Sequence, residues 1–234
     1  MFTDMETNES LIAETAQANQ ALGASGQSDM VWGHASVRDP EGHGVWLKAA
    51  GWSFGEVTAD RIALVSENGE VLAGHGPRHI EYPIHTEVMN ARPDVGSVVH
   101  THAPAAVAFA ALDVPLLAIS HDGVEFAEPQ IPRFTRTGSL ISSAELGRAL
   151  AETIGDGVGC LIPQHGLVTV GPDTATAVMR AVLLARACQV QLQAMAAGPI
   201  RRSSDSAEIA LKKQQVWPES QIRAGYAYLR RQSG

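Results

Sequence analysis

The clearest pattern of apolar and polar positions ends on two histidines. Residues 95–102 are apolar and β-branched and close on His-Thr-His, which predicts a strand. Residues two apart on a strand share a face, so His100 and His102 project together and Thr101 points away. Just upstream, Ile84, Val88 and Met89 recur at helical spacing and Arg92-Pro93-Asp94 breaks the run. That predicts a helix over residues 80–90 with Glu81 in its first turn. Nearer the N-terminus, Leu11, Ile12, Thr15, Ala16, Asn19 and Leu22 define one side of a helix starting at residue 8 or 9 and stopped by Gly23. Short strands are expected at 31–38 and 45–49, and a hairpin joins 62–65 to 71–72 around Asn68-Gly69.

Beyond His102, Pro104 opens a short Ala-rich helix, as proline does at a first helical position. Residues 114–119 read as a strand running up to Ser120-His121-Asp122-Gly123. A Pro-rich loop at 129–136 precedes a helix over 142–154, and strands at 159–162 and 167–170 flank His165. A long Ala/Leu/Val helix over 174–197 belongs to a core, and a helical tail over 207–229 carries Trp217, Tyr226 and Tyr228. No repeat, low-complexity linker or boundary interrupts this order. The expectation is one domain over 1–234, an α/β/α layered fold around a mostly antiparallel central sheet.

Bulk properties narrow the function. The hydrophobic fraction of 45% with 18% charged residues is ordinary for a globular chain of 234 residues. A net charge of −8 argues against nucleic acid or an anionic membrane as partner. No apolar run reaches the roughly 18 residues a bilayer span needs. The N-terminal stretch is acidic and lacks a basic-then-apolar signal, so a cytoplasmic protein is expected. Cys160 and Cys188 sit in apolar contexts without CxxC spacing and read as buried free thiols.

The chemistry gathers around the His-Thr-His strand. His100 and His102 converge at its end, Glu81 lies on the preceding segment, and His165 follows in Ile162-Pro163-Gln164-His165-Gly166. Taken singly, each histidine is more often an ordinary packed residue. Together, three imidazoles and a carboxylate are a catalytic rather than a structural ligand set.

These pieces in this order resemble the class II aldolase/adducin superfamily over nearly the whole chain: Gly33-His34-Ala35-Ser36-Val37-Arg38, Glu81 with His85, Arg92-Pro93-Asp94 leading to Val99-His100-Thr101-His102, and Gln164-His165-Gly166. The resemblance implies one divalent metal ion per subunit, zinc or manganese, on His100, His102 and His165. It makes Glu81 the catalytic carboxylate, which ligates the resting metal in the sugar phosphate aldolases and moves off to act as base. It also implies a homotetramer with active sites between neighbours, completed by C-terminal residues, for which Tyr226 and Tyr228 are the candidates here. His85 is expected to support Glu81 or the fold.

The departures from the sugar phosphate aldolases are as informative. His34 replaces their phosphate-binding asparagine, and His79-Ile80 stands where two serines precede the glutamate. Isoleucine cannot donate a hydrogen bond, so the phosphate cradle is lost. Their proton-donating tyrosine aligns near His121, a second acid/base candidate. His34, His79 and the adjacent Arg78 are positioned to hold a carboxylate instead. The implied activity is a metal-dependent carbon–carbon lyase acting on a small-molecule carboxylate. Its first form is decarboxylation of an unphosphorylated hydroxy-aromatic or heterocyclic dicarboxylate, or a related oxo-acid, through a metal-stabilised enolate. The rivals are aldol cleavage of an unphosphorylated hydroxy-oxo-acid, a sugar phosphate aldolase or epimerase, and a non-catalytic adducin-like interaction module.

Overall fold

The computed structural model of the chain describes residues 4–27 and 29–233. Helix α1 (Asp4–Ala24) leads into strands β1 (His34–Arg38), β2 (Val45–Lys48), β3 (Ile62–Val65) and β4 (Val71–Gly74). Helix α2 (Pro83–Ala91), strand β5 (Ser97–Thr101) and helix α3 (Pro104–Ala110) follow. Then come α4 (Val124–Ala127), α5 (Ala144–Ile154), β6 (Gly159–Ile162), β7 (Gly166–Gly171), α6 (Thr174–Ala197), α7 (Ser206–Gln215) and α8 (Glu219–Gln232). The seven strands form one sheet in the order β4-β3-β2-β1-β5-β7-β6. Every neighbouring pair is antiparallel.

Period-two alternation sorts the sheet's side chains into two layers. Ala35, Val99, Leu161 and Leu167 face one way and pack with α1, α3, α6 and α8. Val98, Cys160, Ile162, Val168 and Val170 face the other way and pack with Ile84, Val88 and Met89 of α2 and Leu150 and Ile154 of α5. This is the expected α/β/α arrangement. Even-numbered positions of β1 and β5 share the α2 side, so His34, Ser36 and His100 are delivered to the layer that holds His85. His34 and His100 are direct partners in the β1–β5 register. Cys160 and Cys188 are free and buried. No helix among the described residues is long and apolar enough to cross a membrane.

Several boundaries differ from expectation, β1 starting at His34 and β5 spanning Ser97–Thr101 among them, and four departures bear on the argument. Helix α1 begins at Asp4 instead of residue 8 or 9. Helix α2 begins at Pro83, which tolerates the first helical turn because it has no N–H to leave unpaired, so Glu81 sits one residue before the N-cap Tyr82 and not in the first turn. Residues 114–119 are not a strand. Their backbone groups bond to side chains: Leu116 N–H donates to Gln130 Oε1 at 2.7 Å and Leu117 N–H to Gln191 Oε1 at 2.7 Å. The tail is two helices rather than one, because Pro218 interrupts the backbone ladder and serves as the N-cap of α8.

Candidate functional site

Three short backbone features bring the ligand set together. His100 is the penultimate residue of β5, and His102 lies one residue past its end. His165 is carried by the tight β6–β7 turn, where Gln164 adopts a left-handed conformation with φ of 66°. Gly166 then enters β7 against β5 so closely that an added Cβ would collide with Thr101 O and lie 3.0 Å from His102 Cδ2. Gly33, just before β1, is also closely packed, since a Cβ there would sit 2.6 Å from Phe54 Cζ. Glu81, on the turn before α2, is anchored by Ile141 N–H donating to its Oε1 at 2.8 Å.

The hydrogen bonds around the imidazoles define their lone pairs. His100 Nδ1 donates to Leu167 O at 2.9 Å, and His102 Nδ1 bonds the Asp29 carboxylate. With each Nδ1 proton thus engaged, both Nε2 atoms carry lone pairs, yet they face one another at 2.9 Å. The side chain of His165 is buried and, among the described residues, neither of its ring nitrogens has a hydrogen-bond partner. Its Nε2 lies 3.5 Å from Glu81 Oε1, and His100 Nε2 lies 3.7 Å from Glu81 Oε2. One donor atom from each of Glu81, His100, His102 and His165 falls within 4.8 Å of the others. Converging lone pairs, orphaned imidazole nitrogens and an anion are a donor set that fits a divalent cation, and these four residues could hold one.

The electrostatics agree with that geometry. Burial pushes His100 down to about 3, so it is a neutral ligand at neutral pH. Burial pushes Glu81 up, but the neighbouring His165 and His100 and the Ile141 N–H outweigh it, leaving the carboxyl below its usual range and ionised.

Against this quartet stands a second cluster of imidazoles. The His34 ring lies 4.4 Å from His79, 4.8 Å from His85 and 5.2 Å from His100, centroid to centroid. His34 Nδ1 is 2.6 Å from His85 Nε2, and His85 Nδ1 is 2.6 Å from Ser36 Oγ. Burial holds His34 and His85 well below the ordinary histidine value and His79 at about 3. Among the described residues, His34 Nε2 and His79 Nε2 are buried without partners.

His34, His79, Glu81, His100, His102 and His165 therefore come together. Of the remaining candidates, Arg78 meets the His79 carbonyl from Nη1 at 3.4 Å without joining the imidazoles, and the other two lie elsewhere within one chain. Arg78 donates from Nε to Gly69 O at 2.6 Å and stacks on the Tyr82 ring at 4.4 Å. His121 is exposed at a single 3-10 turn, with its carbonyl accepting from Trp217 Nε1 at 2.9 Å. Tyr228 is exposed on α8. Among the described residues, no hydrogen bond, ion pair or ring contact joins these three to the quartet. Two charged groups beside the imidazoles escaped sequence reasoning. Asp29, which orients His102, lies in an aperiodic loop. Lys48 is buried at the end of β2, donates to Val31 O and Trp52 O at 2.9 and 2.5 Å, and is lowered to about 8 by burial. Its only sequence signal is a lysine in a strand that is otherwise apolar.

Comparison with known proteins places this geometry. Decarboxylase NovR of Streptomyces niveus is 34% identical over 173 residues, 73% of this chain and 64% of that protein. The meiotically up-regulated gene 14 protein of Schizosaccharomyces pombe is 29% identical over 195 residues, 82% of this chain and 76% of its own length. Among solved structures, L-fuculose 1-phosphate aldolase from Glaciozyma antarctica PI12 superposes with a TM-score of 0.84 at 26% identity, over 100% of this chain and 92% of that one. Residues 13–192 match the class II aldolase and adducin N-terminal domain, and the chain belongs to that family.

Proposed function

We propose that the protein is a metal-dependent carbon–carbon lyase whose reaction is decarboxylation of an unphosphorylated hydroxy-aromatic or heterocyclic dicarboxylate, or of a related oxo-acid. One observation carries the choice of substrate class. The side chains beside the ligand set are the imidazoles of His34 and His79, 4.4 Å apart and each with a buried Nε2 that has no partner among the described residues, where the sugar phosphate enzymes of the family carry small phosphate-binding groups. The likeness to a protein named as a decarboxylase supports the same reading.

His100, His102 and His165 would hold one divalent ion, zinc or manganese, with Glu81 beside it. Bound there, the ion supplies Lewis-acid stabilisation of the charge that develops on the substrate oxygen as the carbon–carbon bond breaks. The protein does the rest. Glu81, ionised and tethered by Ile141 N–H, takes the proton of the substrate hydroxyl. The bond to the departing carboxylate then breaks, carbon dioxide leaves, and the electron pair stays on the substrate carbon. Glu81 returns its proton to that carbon, so the base is regenerated. His34 and His79 bind the remaining carboxylate and orient the scissile bond. We further propose a homotetramer in which neighbouring tails approach the site, which would give Tyr228 its place from across an interface.

A panel pairing the metal-loaded protein with hydroxylated aromatic dicarboxylates, ring-cleavage oxo-acids and sugar phosphates tests the assignment by mass spectrometry. The expected product is lighter than its substrate by carbon dioxide. Cleavage of a sugar phosphate into two carbonyl fragments, with every carboxylate inert, would overturn it. The likeness to a fuculose phosphate aldolase along the whole chain favours one second reading, aldol cleavage of an unphosphorylated hydroxy-oxo-acid. Two carbonyl products from such an acid would select it.

A further inference from the structure

The second imidazole cluster has a proton polarity, and this polarity follows from counting donors and acceptors. Ser36, His85 and His34 form a chain in which Ser36 Oγ meets His85 Nδ1 at 2.6 Å and His85 Nε2 meets His34 Nδ1 at 2.6 Å. All three residues are completely buried. A neutral imidazole carries one N–H, so a single choice at Ser36 sets every proton along the line. If the Ser36 hydroxyl donates, His85 accepts at Nδ1 and donates from Nε2, and His34 accepts at Nδ1 and carries its proton on Nε2. One donor, His34 Nε2–H, is then left over. If the chain runs the other way, the hydroxyl proton of Ser36 is orphaned inside the protein and His34 Nε2 is an orphaned acceptor. Each buried unpaired group costs on the order of 1–3 kcal/mol, so the first polarity is favoured. His79 Nε2, in the neighbouring ring, also lacks a partner, so among the described residues nothing consumes the His34 proton.

We propose that Ser36 and His85 are positioning residues that hold His34 as its Nε2–H tautomer, making it a fixed hydrogen-bond donor to an anionic oxygen of the substrate beside the metal-binding quartet. This rests on the reading of that quartet as the reaction centre, and it deepens the reading by giving His34 a defined role and a defined atom. The arrangement has a physical advantage over a lone histidine. A donor whose proton is set by two buried bonds is already oriented when the substrate oxygen arrives, and water does not compete for it. It also accounts for His85. This residue sits on α2 one turn from Glu81, makes no hydrogen bond to it, and spends both ring nitrogens on the line to His34.

Nitrogen-15 NMR of histidine-labelled, zinc-loaded protein tests this directly, with His34 assigned by its absence from a His34→Gln spectrum. The expected spectrum shows His34 protonated on Nε2, and oxalate, a probe with two adjacent carboxylates, moves that proton downfield. Ser36→Ala should give a mixed tautomer at His34 and weaken oxalate binding about 10-fold, the scale of one hydrogen bond to a charged group, with zinc affinity unchanged. Ser36→Thr, which keeps the hydroxyl, should restore both. A His34 protonated on Nδ1 would overturn the proposal. So would a Ser36→Ala variant that retains wild-type tautomer and oxalate affinity, or one that loses zinc in parallel. If Ser36→Ala does not fold, the wild-type spectrum decides alone. None of these measurements involves turnover, so an enzyme that proves to be an aldolase leaves the result intact.

Discussion

At the residue scale, Glu81 and Asp29 are both carboxylates beside an imidazole, yet their surroundings assign them different work. Glu81 shares the space of three imidazoles and accepts one backbone N–H, so Glu81→Gln should leave fold and metal content nearly unchanged while lowering turnover by about 100-fold or more. Near-wild-type turnover would remove Glu81 from the chemistry. Asp29 bonds the far nitrogen of His102 and also accepts Gly33 N–H at 3.0 Å, so it orients a ligand instead of being one. Asp29→Asn should weaken metal binding by roughly 10–100-fold, as loss of such an outer partner does. Competitive titration with a chromogenic chelator measures it. The buried imidazoles also make a pH prediction. His34, His79 and His85 have folded-state values below the ordinary 6.5, whereas the unfolded chain takes up protons as pH falls through 6.5. The unfolded state therefore holds more protons below that pH, and stability is lost on acidification. The loss approaches about 1.4 kcal/mol per pH unit for each histidine once pH is well below 6.5. Melting temperatures of the metal-free protein at pH 7 and pH 5 should fall accordingly. A flat profile would mean that these rings take up protons in the fold as readily as in the unfolded chain.

At the scale of elements, the site depends on how closely β5 and β7 approach. Gly166 has no room for a Cβ against Thr101 O, and backbone cannot swing away as a flexible side chain can. Gly166→Ala should cost on the order of 1–3 kcal/mol in unfolding free energy and reduce metal affinity, because His165 and His102 separate together. Unfolding by urea with metal titration on the same variant checks both. The same elements explain what was legible in the sequence. The His-Thr-His strand declared itself because period-two geometry leaves no choice about which side chains share a face. The long α6 matched its apolar run end to end because a continuous Ala/Leu/Val stretch admits little else. Residues 114–119 misled because apolar composition records burial, not the partner of the backbone. Gln130 and Gln191 supply hydrogen bonds that a strand would have taken from a neighbour, and both are distant in sequence. Asp29 was invisible for a related reason, since its role depends on a loop folding back onto β5.

At the scale of the whole molecule, the exposed apolar side chains are unevenly placed. Met30 is 70% exposed, Trp32 53%, Ile80 56% and Leu140 48%, and each lies within two residues of Asp29, His34, Glu81 or Ile141. Large apolar groups are costly to leave in water, and where they gather they mark contact surfaces. On the opposite layer, α8 places Tyr228 in solvent while its Ile222, Tyr226 and Leu229 pack inward. Both features accord with the proposed tetramer, in which a neighbouring chain covers such exposed side chains and a tail contributes to the site. Light scattering at micromolar concentration should give four times the single-chain mass of 24.8 kDa. Removal of residues 219–234 would expose part of the α6 surface, so its interpretation needs a gentler partner. Tyr228→Ala touches no buried contact and should leave the melting temperature within about a degree, since exposed substitutions typically shift stability by less than about 0.5 kcal/mol. If the tail reaches a neighbour's site, the same variant raises KM or lowers kcat. A single-chain mass in solution would remove the tetramer, and a Tyr228→Ala variant with unchanged kinetics would remove the tail from the site.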